Sequence, residues 1–135
     1  MIQQLHKQGE VDGDIKDYLV TFMTSIFRSV RFGASSAHGK ANMIRFNFFE
    51  EQGAFERNPD DGTYRINFEK FEAAGKALSE KILTLQGDGD YDGVAQLVAN
   101  QGKINDQLKK DLDRLSAANI PVDIIFEQVV KTLGL

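Results

Sequence analysis

S-I-F-R-S-V-R-F-G-A-S-S-A-H-G-K-A-N-M-I-R-F-N-F-F-E-E-Q-G, residues Ser25 to Gly53, joins two strongly patterned segments through a polar, glycine-broken elbow. Ser35 or Ser36 is a natural N-cap, because a serine oxygen can accept from the free N–H groups of a first helical turn. A helix is therefore expected from about Ala37 to Gln52, with Gly53 just past its end. At 3.6 residues per turn, Ala37, Ala41, Ile44 and Phe48 form one apolar row, and His38, Asn42, Arg45 and Phe49 a second row about a quarter turn away. Met43 and Phe46 fall on a third side. This pattern suggests a helix wedged between neighbours on more than one face, with the His/Asn/Arg row lining a seam. An imidazole, an amide and a guanidinium on one stripe can bind a carbonyl or a carboxylate. The competing reading is that His38 only caps or satisfies the helix start.

Upstream, Ile15, Tyr18, Leu19, Phe22, Met23, Ile26, Phe27 and Val30 follow the i, i+3, i+4, i+7 rule after a cap at Asp14 or Asp12, and Gly33 closes that helix. Arg28 and Arg31 share a face of its last turn, where cations suit the helix dipole. Residues 1–13 read as flexible or as the remnant of an upstream helix, since Ile2 and Leu5 are too few to hold one independently. Downstream, Ala54 to Asn58 and Thr63 to Asn67 bracket Pro59-Asp60-Asp61-Gly62, a turn signal for a small β-hairpin. Phe55, Tyr64 and Ile66 can cover a core. Asn67 caps a long helix with Phe68, Phe71, Leu78, Ile82 and Leu85 on one side, where Gly75 offers room for a close neighbouring helix, and it stops at Gly87.

Asp88-Gly89-Asp90-Tyr91-Asp92-Gly93 imitates the first half of an EF-hand loop. The second half fails, because Ala99 stands where the bidentate glutamate belongs and Gln96 at position nine. A helix-to-helix turn, with Asp88 or Asp90 capping the next helix and Val94, Leu97 and Val98 buried, accounts for it better. Asn105 caps a helix through Leu108, Leu112 and Leu115 that ends at Asn119 and Pro121. Val122, Ile125, Phe126, Val129, Val130 and Leu133 predict a last one. The fold class is thus mainly α: about five or six helices with one hairpin over residues 54–67, and 14–135 as a single helical domain.

A chain of 135 residues can bury roughly two thirds of its unfolded surface. A net charge of −4 with the signs well mixed argues against nucleic acid and against an anionic membrane surface. The absence of cysteine removes disulfides and thiolate metal sites and agrees with a reducing compartment. No apolar run approaches the roughly 20 residues that span a bilayer, and no signal-like segment opens the chain, so a cytoplasmic location is expected.

The stretch R-F-G-A-S-S-A-H-G-K-A-N-M-I-R-F-N, followed by G-x-Y-R-I-N, L-Q-G-D-G-D-Y and D-L-D-R-L-x-x-x-N-I-P-V-D, resembles the C-terminal region of bacterial dipeptidyl peptidase III-like zinc peptidases, from about Asp14 onward. The resemblance implies a fragment of a zinc exopeptidase that releases N-terminal dipeptides, with an H-E-x-x-G-H metal helix and a second glutamate motif. Neither motif is in this chain, so zinc is implied for the parent and no cofactor for the fragment. The resemblance makes His38 a catalytic residue that reaches the substrate carbonyl near the metal. Asn42, which stands where several relatives carry arginine, and Arg45 are the substrate-binding candidates.

His6 and His38 alone cannot build a zinc site. Phe48-Phe49-Glu50-Glu51-Gln52-Gly53-Ala54 reproduces the tail of a Nudix box, enough for the chain to be labelled a Nudix hydrolase. Its head is missing: Asn47 replaces a glutamate, Phe46 an arginine, and Arg45 stands where an upstream glutamate belongs. Two functional classes follow, the substrate-side segment of a dipeptidyl peptidase, inactive alone, or a free-standing helical interaction module. The expected partners are the remainder of the parent and its peptide substrate. Self-association is also expected, through apolar surface at Met43, Phe46 and Phe49.

Overall fold

Every described helix after the first begins where the sequence supplies a side-chain acceptor. In the computed structural model, which describes residues 2–123 and 134, α1 (Ile2–Lys7), α2 (Ile15–Val30), α3 (Ala37–Glu51), β1 (Phe55–Arg57), β2 (Tyr64–Ile66), α4 (Phe68–Gly87), α5 (Tyr91–Gln101) and α6 (Asp106–Ala117) follow in order. Asp14, Ser36, Asn67, Asp90 and Asn105 cap α2 to α6, each accepting from a backbone N–H two or three residues on. The expected mainly helical fold with one hairpin is what forms. Asp90, not Asp88, caps α5, and Asp88 closes α4. The helix expected over Val122–Leu133 falls outside the described residues beyond Asp123.

The chain divides into two compact units, Met1–Ile104 and Asn105–Leu135. In the second, α6 is closed just past its end by Asn119, whose φ of 55° is the left-handed turn that lets Ile120 N–H reach back to the Leu115 carbonyl. In the first, α3 is the axis. It touches α2, α4, α5 and β1, the wedged arrangement its all-round pattern suggests. β1 and β2 pair antiparallel, Phe55 opposite Ile66, and the Asn67 N–H to Ala54 carbonyl bond of 2.9 Å closes the hairpin under α3.

The core of this unit has two aromatic knots. Phe46 of α3 meets Phe27 of α2 edge-on at 5.3 Å and Phe55 of β1 at 4.9 Å, and Tyr64 lies 4.6 Å from Phe27. One turn along, Phe49 meets Phe71 of α4 at 5.0 Å, with Phe22 of α2 about equally far from both. Met43, Phe46 and Phe49 are therefore buried, at 0 %, 0 % and 4 % exposure, and offer no surface for self-association. Ala37 and Ala41 are exposed, although Phe48 of the same row is buried. α3 buries three sides because its neighbours crowd it, and periodicity alone could not choose among them.

α4 departs from expectation along its second half. It buries Phe71, Ala74 and Leu78 and nothing beyond. Ile82 is 44 % exposed, Leu83 66 %, and Gly75 faces open space rather than a neighbouring helix. On α5, Leu97 is buried but Val94 is exposed.

Candidate functional site

The elbow between α2 and α3 is built by close backbone approach. Gly39, in the first turn of α3, is buried against Gly33 and Ala34, so that a Cβ there would overlap the Gly33 carbonyl and sit 3.1 Å from Ala34 Cα. Only glycine fits. Ser36 Oγ accepts from the Gly39 N–H at 3.0 Å, pinning the same turn from the other side. His38 stands on this fixed turn with its side chain exposed, and it makes no hydrogen bond, ion pair or ring contact with any described residue. The cap is Ser36, so the reading of His38 as a helix cap has no support in the geometry.

One turn on, Asn42 is half-buried and engaged at both ends. Its Nδ2 donates to Ser29 Oγ of α2 at 2.6 Å, and its Oδ1 accepts from Arg45 Nη1 at 3.0 Å. Asn42 thus ties α3 to α2 and steadies the Arg45 guanidinium, with one amide proton left over. Arg45 is exposed and borders an open groove of about 1150 Å³ whose floor includes Phe22, Phe49 and Phe71. Asn42 and Arg45 are joined, whereas His38 lies seven residues from Arg45, about 10 Å along the helix axis.

Two polar contacts that sequence reasoning missed fix the other end of α3. Asn47 Nδ2 donates to the carbonyls of Gln101 at 2.7 Å and Lys103 at 2.9 Å, closing the C-terminus of α5. Gln101, buried at 7 % exposure, donates through Nε2 to Glu51 at 2.7 Å, while its Oε1 is buried without a partner. An asparagine and a glutamate among phenylalanines were the signal. Glu51, one of the paired glutamates of the Nudix-like tail, is therefore occupied by an amide.

Among the described residues no three histidine, aspartate or glutamate side chains converge as a metal would require. His6 bonds the Gly13 carbonyl at 2.8 Å, in the N-terminal segment. In the Asp88–Asp92 loop, Asp90 accepts from Gly93 N–H at 2.8 Å as a helix cap. No helix among the described residues is long and apolar enough to cross a membrane.

No protein-family model matches the chain. Among solved structures it is similar to dipeptidyl-peptidase III from Corallococcus sp. strain EGB, with a TM-score of 0.84 and 35 % identity over 92 % of this chain and 23 % of that one. It is equally similar to DPP III from Caldithrix abyssi, TM-score 0.84 and 34 % identity over 98 % of this chain and 25 % of that one. Among curated proteins, Nudix hydrolase 3 of Arabidopsis thaliana is 39 % identical over 110 residues, 82 % of this chain but 14 % of that protein. The chain thus spans a quarter or less of each protein it matches. A name carried by a protein of which one seventh is matched says little about the matched part.

Proposed function

We propose, from a chain that is a dipeptidyl peptidase III-like region, that it forms the substrate-side segment of a zinc-dependent exopeptidase releasing dipeptides from peptide N-termini. The observation that carries this reading is His38, whose backbone turn is fixed by the Gly39 contact while its side chain has no partner among the described residues. An exposed imidazole on a fixed backbone turn, with no partner among the described residues, can turn to donate its N–H to a peptide carbonyl. Arg45, about 10 Å further along the same row, can meet a second group about three residues away on an extended peptide. The described residues do not fit a zinc site, so the role proposed for this segment belongs to its own side chains alone.

A donor aimed at a carbonyl oxygen does most when that oxygen gains charge, so His38 stabilises the transition state more than the bound substrate. In the complete enzyme, His38→Ala lowers kcat about 100- to 1,000-fold, the usual cost of one such donor. KM and bound zinc change little, and so does the melting temperature, because the side chain is exposed and bonds to no described residue. Loss of zinc would make His38 a ligand, and an unchanged kcat would remove it from the mechanism. The 135-residue chain alone is expected to hydrolyse neither dipeptidyl-arylamides nor nucleoside diphosphate derivatives with zinc or magnesium added.

The uncovered half of α4, with Ile82 and Leu83 exposed, favours a second reading as a helical interaction module without catalysis. The gene separates the two. An in-frame H-E-x-x-G-H upstream of Met1 supports the peptidase, and its absence supports the module.

A further inference from the structure

The groove beside Arg45 has α4 as one wall, and three residues at four-residue spacing give that wall its shape: Gly75, Ser79 and Leu83. A four-residue row is one of the ridges by which helices interlock. Gly75 is a dent, with no atom within 4 Å of where its Cβ would be. Ser79 turns its hydroxyl back onto its own helix, donating to the Gly75 carbonyl at 2.8 Å, and so needs no outside partner. Leu83 is a knob, 66 % exposed. Dent and knob are equidistant from Ser79, four residues to either side, about 6 Å each way.

We propose that this face of α4 is a self-docking surface, on which a second copy of the chain packs its own α4 antiparallel about a two-fold axis at Ser79, each Leu83 filling the other copy's Gly75 dent. A two-fold contact requires one patch complementary to itself, and the dent-centre-knob order supplies that. The charges agree. In this register Glu80 of each copy comes within reach of Lys76 of the other. Within one copy Glu80 makes no ion pair with a described residue, and Lys76 has only Glu72, at 3.2 Å. The face draws on α4 alone and does not depend on any peptidase role. It differs from the association expected through Met43, Phe46 and Phe49, which are buried.

The absence of cysteine makes the register directly testable. The 135-residue chain is expected to approach twice the monomer mass in light scattering as its concentration rises, and Leu83→Glu to weaken that association at least tenfold with an unchanged circular dichroism spectrum. Ser79→Cys, placed on the axis, should form a disulfide-linked dimer on mild oxidation. Val20→Cys, equally accessible on α2 at 46 % exposure, should not. A chain monomeric at every attainable concentration overturns the proposal. So does a dimer that Leu83→Glu leaves intact, or one in which Val20→Cys cross-links as readily as Ser79→Cys.

Discussion

α3 and the second half of α4 invert the usual relation between pattern and burial. α3 has apolar residues on every side, with no single hydrophobic face, and buries Met43, Phe46, Phe48 and Phe49. α4 has a clear apolar stripe, yet past Leu78 nothing on it is fully buried: Ile82 is exposed and Leu85 only half-buried. Pattern reports what a helix could bury, and neighbours decide what it does bury. The hairpin and three helices surround α3, while the last nine residues of α4 have only flanking contacts, Lys81 over the Phe48 ring and Leu85 beside Gly93. The contrast can be tested from both sides.

The largest difference should appear between Phe46→Ala and Leu83→Ala. Phe46 is fully buried among Phe27, Phe55 and Tyr64, so truncation removes three ring contacts and leaves a cavity, at a cost of about 3–5 kcal/mol. Leu83 is 66 % exposed, and its loss should stay within about 0.5 kcal/mol under monomeric conditions. Urea unfolding of the two variants measures both. Equal costs would mean that α4 is covered after all.

The two helical glycines sharpen the same contrast. Gly39→Ala forces a methyl into the Gly33–Ala34 backbone, which cannot move aside as a flexible side chain would, and should cost about 1–3 kcal/mol. Gly75→Ala adds the same methyl to open space in a helix interior and should stabilise the monomer by up to about 1 kcal/mol through helix propensity. One substitution, made twice, should give opposite signs in melting temperature. Between them falls Asn47→Ala, which frees two carbonyls at the end of α5 and should cost about 1–2 kcal/mol.

These residues also mark what the sequence made legible. The caps were readable because they are local: Asp14, Ser36, Asn67 and Asn105 each bond a backbone group within three residues. The hairpin was readable for the same reason, from its Pro-Asp-Asp-Gly turn. His38, Asn42 and Arg45 could be placed on one stripe because helical spacing fixes that. Their unequal states could not, since Asn42 is consumed by Ser29, a residue of another helix. Gly39 and Asn47 act on chain segments brought near only by folding. Which face of α3 is buried, and where burial along α4 stops, depend on the same long-range placement.

The smallest effect concerns α1, which buries no residue at all and so lies at the opposite extreme from α3. Its tie to α4 is Lys7 Nζ to Glu72 at 2.9 Å, on a side chain that also receives Lys76. The hydrogen bond from Lys7, then that from Lys76, holds the Glu72 carboxyl below its ordinary value. The folded-state pKa is therefore lower than the unfolded one. Such a group contributes its stabilisation in full above the unfolded carboxylate range, about pH 4.3, and loses it as pH falls through the folded value. Neutral pH should thus favour the tie between α1 and α4, and acid should loosen it slightly, since the pair is exposed, while α3, held by apolar burial, persists. Amide exchange would show the Gln8 and Glu10 protons, bonded to the Gln4 and Leu5 carbonyls of α1, losing protection first below the carboxylate range, with those of Met43 to Phe49 unchanged. Glu72→Gln should remove the pH dependence at α1 by weakening the tie at every pH. Protection at α1 that ignores both acid and Glu72→Gln would mean that something other than this ion pair holds the helix.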